Sequence, residues 1–156
     1  MCYAVTQTQS IGGSNMATRH LTLRLNEELL ESLDSQSRHS GQSRSELART
    51  LIEEGLRMEM HPGIVFRPGP AGRRPGLASG PDVWEIVRVF SELGAADEDA
   101  LRWTVESSGL SEDQVKTALR YYADYPEEID EWITRNDEEA KKAEEAWLRE
   151  KRLLGR

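Results

Sequence analysis

The stretch HLTLRL at residues 20–25, followed by NEELLESLDSQSRHSGQSRSELARTLIEEGL at residues 26–56, decides the fold of the first part of the chain. Leucines alternate with polar residues over the first six positions, which is typical of a strand with one apolar face. Asn26 can cap a helix, Gly41 can end it, and Ser43 with Glu46 has the spacing of a capping box for a second helix. The pattern predicts one strand and two helices within residues 18–60.

A single strand in so short a module cannot satisfy its own backbone hydrogen bonds. The nearest partner is the same strand of a second copy, paired antiparallel about a two-fold axis. The second helix carries an apolar stripe at helical spacing, which we expect to be buried together with the strand leucines. The sequence therefore predicts a homodimer whose core includes Leu21, Leu23, Leu25, Leu47 and Leu51.

The segments RHLTLRLNEELLESLD and SGQSRSELARTLIEEGL resemble the ribbon-helix-helix DNA-binding proteins. In that family a two-stranded ribbon enters the major groove of double-stranded DNA. The resemblance implies that His20, Thr22 and Arg24 read base edges. It also implies that phosphates are bound by Arg19, Ser43, Arg44 and Ser45. The alternative is that the polar side of the strand is an ordinary exposed face.

The two halves of the chain differ in net charge. Its 156 residues carry 20 basic and 28 acidic side chains, a net charge of -8. Residues 1–75 hold 9 basic and 8 acidic residues, whereas residues 76–156 hold 11 and 20. An acidic half does not seek phosphate, so the asymmetry indicates two different partners. The alternative is that these charges only coat solvent-facing helices.

The N-terminal residues, the lack of a long apolar stretch and the single cysteine indicate a cytoplasmic location. Residues 1–17 are predicted to be a disordered tail, with Met16 as a plausible start and no signal-peptide pattern. No stretch approaches about 18 apolar residues, so no membrane partner is expected. Cys2 is the only cysteine, which fits a reducing cytoplasm.

A Gly- and Pro-rich connector with a hairpin is predicted at residues 61–81, and a small helical domain at residues 82–125. The tract GPDVWEI at residues 80–86 and the LSEDQV element at residues 110–115 resemble a domain of VapB-type antitoxins, which accompany PIN-like nuclease toxins. That resemblance implies a short hairpin followed by a homeodomain-like helical unit. Many members have Gly-Thr-Arg where this chain has Ser79-Gly80-Pro81.

The last predicted element is an amphipathic helix at residues 126–156, beginning with Pro126. Aromatic and aliphatic residues lie along one stripe, and basic residues follow near the end. Nothing later in the chain can cover this stripe, so it is predicted to bind a toxin. The candidate partner-binding residues are Trp132, Ile133, Trp147, Leu148, Arg149 and Arg152. The alternatives are packing within the dimer or a solvated tail.

No catalytic or metal-binding pattern is found. The three histidines have no metal-type spacing, and the GPAGRR tract at residues 69–74 lacks the ending of a phosphate loop. Arg73 and Arg74 are instead candidates for contact with DNA or an acidic partner. We expect no cofactor, no metal and no enzymatic activity.

Together these features predict a mainly α-helical protein that acts as the antitoxin of a type II toxin–antitoxin system. It would bind a PIN-like ribonuclease toxin in a higher-order complex and repress its own operon. The alternative is a free-standing ribbon-helix-helix regulator with a C-terminal sensing or protein-interaction domain.

Overall fold

A computed structural model describes residues 21–69, 72–92, 94 and 98–155. Within these residues the protein is mainly helical, with one small antiparallel sheet. The elements in chain order are α1 (Glu27–Ser40), α2 (Arg44–Met60), β1 (Ile64–Gly69), β2 (Gly72–Leu77), α3 (Val83–Ser91), α4 (Glu98–Ser108), α5 (Glu112–Asp124) and α6 (Pro126–Leu154).

The predicted helix boundaries in residues 21–60 are confirmed. The side chain of Asn26 accepts a hydrogen bond from the Leu29 N–H, and Gly41 ends α1 with a φ of 70°. Ser43 and Glu46 form the expected capping box at the start of α2. These caps satisfy backbone donors that a helix leaves without intrahelical partners. We call residues 21–60 the N-terminal module.

Residues 21–26 have no regular secondary structure in the single chain. A strand is defined by hydrogen bonds to a neighbouring strand, so its formation depends on the second copy and stays a prediction. We call residues 21–26 the ribbon segment. Residues 1–20, which include the predicted tail together with Arg19 and His20, lie outside the described residues.

The predicted hairpin is present within residues 61–81, and it also contributes to the core. β1 and β2 pair antiparallel, with Ile64 opposite Leu77. Both of these side chains are buried among residues of α3, α5 and α6. A Cβ atom at Gly76 would lie 2.9 Å from Oδ1 of Asp82, so a larger residue here would force neighbouring atoms to move.

The three middle helices pack on one another and on the hairpin. Gly109, with a φ of 68°, separates α4 from α5, and the side chain of Ser111 caps α5. We call residues 61–137 the hairpin–helix domain. Its buried cluster consists of Ile64, Leu77, Val83, Ile86, Val87, Val115, Ala118, Tyr121 and Ile129.

The first turns of α6 complete this core. Pro126 occupies the first turn as predicted, and Ile129 is fully buried. Ile133 packs on the cluster one turn later, and Asp137 forms an ion pair with Arg88 of α3 at 3.2 Å. Residues 138–154 are exposed throughout, and we call them the distal α6. No helix in the described ranges has both the length and the apolar character needed to cross a membrane.

Candidate nucleic-acid and partner interfaces

The ribbon segment exposes both of its sides in the single chain. Thr22 and Arg24, the predicted base-reading residues that the structure describes, are exposed. The three leucines between and beside them are exposed as well, with Leu21 at 71%. Exposure of these leucines to water is unfavourable, because burial of an apolar side chain lowers the free energy. The segment therefore lacks the cover that its sequence pattern requires.

The start of α2, the predicted phosphate site, is organised by the capping box. The Ser43 hydroxyl donates to Glu46 Oε2 at 2.7 Å, and the Ser43 N–H donates to the same oxygen at 3.0 Å. The hydrogen bond from the Ser43 side chain lowers the pKa of Glu46. The Ser43 hydroxyl is thus engaged within the chain, and a carboxylate lies next to it.

Arg44 and Ser45 follow this cap and are both exposed. The Arg44 side chain forms an ion pair with Asp34 of α1. A phosphate at this helix end would meet the positive end of the helix dipole and could compete with Asp34 for Arg44. The electrostatics of the site are therefore mixed, since one arginine is flanked by two carboxylates.

The apolar surface of α1 and α2 is largely uncovered. No residue of α1 is buried, and in α2 only Leu47 and Glu54 are. Among the residues predicted for the dimer core, Leu47 is buried inside the chain at 4% exposure, whereas Leu51 is exposed at 41%. Other large apolar side chains of the two helices are also exposed: Leu29, Leu30, Ile52, Leu56, Met58 and Met60.

The opposite side of α2 docks on the hairpin–helix domain through charged residues. Nε of Arg73 on β2 lies 2.7 Å from both carboxylate oxygens of Glu54, which is itself buried. Arg74 pairs with the buried carboxylate of Asp82, and Arg67 lies 3.6 Å from it. Arg73 and Arg74 are therefore both engaged in ion pairs within the chain, and their contact with DNA or an acidic partner stays a prediction.

Arg57 lies at the centre of the contact between α2 and the hairpin–helix domain, which we call the junction. Its Nη1 donates to the Tyr121 hydroxyl at 3.1 Å and to Glu128 at 2.5 Å, and its guanidinium stacks over Tyr125 at 4.2 Å. Burial disfavours the charged guanidinium, but the bonds to Tyr121 and Glu128 outweigh it, so the pKa of Arg57 is raised. Burial, reinforced by the charge of Glu128, raises the pKa of Tyr121.

His61 ends α2 on the same side. It is buried against Tyr121 and Tyr125, with ring centroids 5.1 and 5.8 Å away. Its Nε2 lies 3.2 Å from a carboxylate oxygen of Asp124, at an angle that makes no hydrogen bond. Glu54, Arg57 and His61 recur every three or four residues, the spacing of one helix face. That spacing was the only sequence signal for the junction.

The predicted partner-binding residues fall into two groups. Trp132 and Ile133 are half-buried, and Ile133 packs against the buried cluster of the hairpin–helix domain. In the distal α6, Trp147 and Leu148 remain exposed, at 55% and 43%.

Basic residues surround this exposed pair. Lys151 Nζ lies 4.9 Å from the centre of the Trp147 ring, and Nη1 of Arg149 lies 3.9 Å from Oε2 of Glu145. Arg152 donates to the carbonyl of Leu148 at 3.2 Å. The side chains combine an apolar anchor with several cations on one short stretch of helix.

A cleft of about 710 Å³ separates α1 and α2 from the hairpin. Its charged lining consists of Glu53, Glu54, Arg57, Arg73 and Glu128, and all of these take part in the ion pairs of the junction. No group of three metal-ligating side chains occurs in the part of the chain that the structure describes.

Comparison with known proteins gives no match: no family model, no curated protein and no solved structure matches the chain.

Proposed function

We propose that the protein is a dimeric, DNA-binding antitoxin of a type II toxin–antitoxin system. One observation carries the proposal: the uncovered apolar surface lies at the two ends of the described chain, and the hairpin–helix domain between them is closed around its own core. Large exposed apolar patches mark interaction sites. The two ends differ in sequence and geometry, which fits two different partners.

The N-terminal module supplies the DNA-binding end. Pairing the ribbon segments of two copies would satisfy their backbone hydrogen bonds and turn their leucines toward the helices, and it would leave Thr22 and Arg24 on the outer face. A two-stranded ribbon fits the major groove, where an arginine can donate two hydrogen bonds to guanine. An uncovered ribbon would also be an aggregation hazard, which gives a further reason for a ligand.

The distal α6 supplies the protein-binding end. An amphipathic helix binds a groove through a few anchors, and tryptophan is a frequent anchor. Trp147 and Leu148 have the exposure that such a role requires. The cations beside them, Arg149 and Arg152, suit an acidic site such as that of a metal-dependent PIN-like nuclease.

The first test is co-expression with the product of the adjacent gene, with only this chain tagged. We expect a stable complex with a small nuclease, lost on combined Trp147→Ala and Leu148→Ala substitution. Met60→Ala is the matched control, because Met60 is an exposed apolar residue of the other end. Failure to recover a nuclease would contradict the antitoxin proposal.

The DNA-binding part is tested separately on the promoter of the same operon. Arg24→Ala should weaken specific binding by about 10- to 100-fold, because one bidentate base contact is worth about 1–3 kcal/mol. Arg38→Ala, an exposed arginine at the end of α1, serves as the control. Unchanged specific binding of Arg24→Ala would exclude the ribbon as the reading element.

The second candidate is a free-standing regulator with a sensing C-terminal domain. The cleft between α2 and the hairpin favours it, because a small ligand there would contact both halves of the chain. Its lining charges are already paired, which makes it the weaker candidate. Specific promoter binding without any protein partner would support it.

A further inference from the structure

Helix α6 changes its composition at the point where its packing ends. The part that contacts the hairpin–helix domain, PEEIDEWITRND, contains proline, isoleucine, threonine and asparagine, which are poor or moderate helix formers. The distal α6, EEAKKAEEAWLREKRLL, is exposed throughout. Apart from Trp147, its residues are all alanine, leucine, glutamate, lysine or arginine, which favour a helix most. The uncovered part therefore consists of residues that form a helix without tertiary support.

The charges along the distal α6 also stabilise a helix. Within residues 137–154, every two charged residues that are four positions apart have opposite charges, as in Glu138 and Lys142. Glu145 and Arg149 form another such pair, with Nη1 of Arg149 3.9 Å from Oε2 of Glu145. Pairs with this spacing stabilise a helix that has no other contacts, especially when the acidic residue comes first.

The distal α6 also continues a helix that is already packed. Ile129 is fully buried, and Asp137 pairs with Arg88 of α3 at 3.2 Å. Beginning a helix is unfavourable, because the first turn fixes several residues for one hydrogen bond, whereas extension adds one bond for each residue fixed. Since the packed part of α6 supplies the first turns, the distal α6 only has to extend them.

The two halves of the distal α6 differ in charge. Residues 138–145 hold four glutamates and two lysines, whereas residues 146–154 hold three cations and one glutamate. The exposed Trp147 and Leu148 lie in the basic half, about 15 Å along the helix from Asp137. An acidic groove would complement this half, whereas the glutamates of the other half would repel the phosphates of a nucleic acid. The charges therefore favour a protein partner with an acidic groove.

We propose that the distal α6 is a helix before any partner binds, and that the nuclease receives it as a preformed helix in a groove that is acidic around Trp147 and Leu148. This inference rests on the function proposed above and specifies the form in which the partner is bound. A segment that folds only on binding loses part of its interaction free energy to ordering. A preformed helix avoids most of that loss.

The first experiment examines the full chain without a partner. Nuclear magnetic resonance should give helical Cα chemical shifts for the distal α6, and these shifts should stay helical when the nuclease encoded by the adjacent gene is added. Coil-like shifts in the free chain would overturn the inference whether or not a nuclease is recovered. Helical shifts without any recoverable nuclease would instead contradict the proposed function and, with it, the docking.

A matched pair of substitutions tests the bound form. Lys142 lies about 140° around the helix from Trp147, and hence away from the anchor. Lys142→Pro interrupts the helix between the domain and Trp147, and it should weaken binding of the nuclease at least about 10-fold. Lys142→Ala removes the same charge but keeps the helix, so we expect its Kd to stay within about 3-fold of wild type. Equal losses in the two variants would show that the nuclease does not bind a helix.

Two controls complete the test. The hairpin–helix domain of Lys142→Pro should melt like that of the wild type, because Lys142 lies beyond its core. Sedimentation equilibrium should give the full chain and a chain ending after Asp137 the same oligomeric state. If the shorter chain differs, a second copy occupies the distal α6 and the docking proposed here is wrong.

Discussion

The N-terminal module and the hairpin–helix domain differ in how far their apolar residues are buried. The hairpin–helix domain buries a cluster that extends from Ile64 to Ile129, with Tyr121 fully enclosed. The N-terminal module buries one leucine and exposes most of its others. A small domain is stable alone only if it can close a core, and otherwise it depends on a partner. The comparison separates the part of the chain that closes its own core from the part that leaves its apolar residues exposed, for which we propose a second copy as the cover.

The largest expected effect comes from shortening α6. Two truncations of α6 locate the C-terminal boundary of the hairpin–helix domain. A chain ending after Tyr125 loses Ile129 and Ile133, which should cost more than about 4 kcal/mol and leave the domain unfolded or nearly so. A chain ending after Asp137 keeps every buried residue of α6 and should melt like the full chain. Thermal unfolding followed by circular dichroism measures both. Equal stability of the two shortened chains would show that α6 is no part of the core.

A matched pair of isoleucines tests the comparison directly. Ile129→Ala removes a fully buried side chain and should lower the free energy of unfolding by about 2–5 kcal/mol at any protein concentration. Ile52→Ala should act through the dimer, so its effect should depend on protein concentration. Denaturant titrations at two concentrations about 50-fold apart distinguish these behaviours. A concentration-independent effect of Ile52→Ala would contradict the view that its face is covered by a second copy.

The junction should contribute less than the core. Arg57→Ala leaves Glu128 and the Tyr121 hydroxyl without their shared donor and should cost about 1–3 kcal/mol. Arg102→Ala breaks the exposed pair with Asp99 and is the control, with an expected change of at most about 1 kcal/mol. Denaturant unfolding measures both variants. If the two losses are equal, Arg57 does not join α2 to the hairpin–helix domain.

The smallest expected effect is at the start of α2. Ser43→Ala removes the hydroxyl of the capping box and should lower the free energy of unfolding by about 1 kcal/mol.

The carboxylate of the same capping box makes stability depend on pH. Because the pKa of Glu46 is lowered in the folded chain, the contribution of Glu46 to stability is fully present above the ordinary value of 4.5. It should be lost as the pH falls through the lowered value. Wild type and Glu46→Gln should therefore converge in stability under acid. A difference that grows on acidification would contradict this assignment.

Local signals predicted the helices well. The caps at Asn26 and Ser43, the glycine after α1 and the proline at the start of α6 lie where the sequence indicated. Each of these interactions joins residues that are only three or four positions apart. Their geometry is therefore fixed by the helix itself and can be read without knowledge of the tertiary structure.

The hairpin and the stripe of α6 were predicted less well. The Gly- and Pro-rich composition of residues 61–81 indicated a connector with a hairpin, but it did not indicate that Ile64 and Leu77 belong to the core. Periodicity showed that Ile133 and Trp147 share a stripe of α6 but could not show that only Trp147 remains exposed. A pattern marks a face as apolar, and the neighbouring elements decide whether that face is covered.

The sequence by itself determined the helices, their caps, the turns at Gly41 and Gly109, and the apolar periodicity of each segment, because these depend on residues within about one turn of each other. The tertiary structure alone decided that Arg57 meets Tyr121, 64 positions away, and that α2 turns its charged face inward and its apolar face outward. Such contacts depend on how separate elements pack, and the spacing of residues along one helix contains no information about which element lies opposite it.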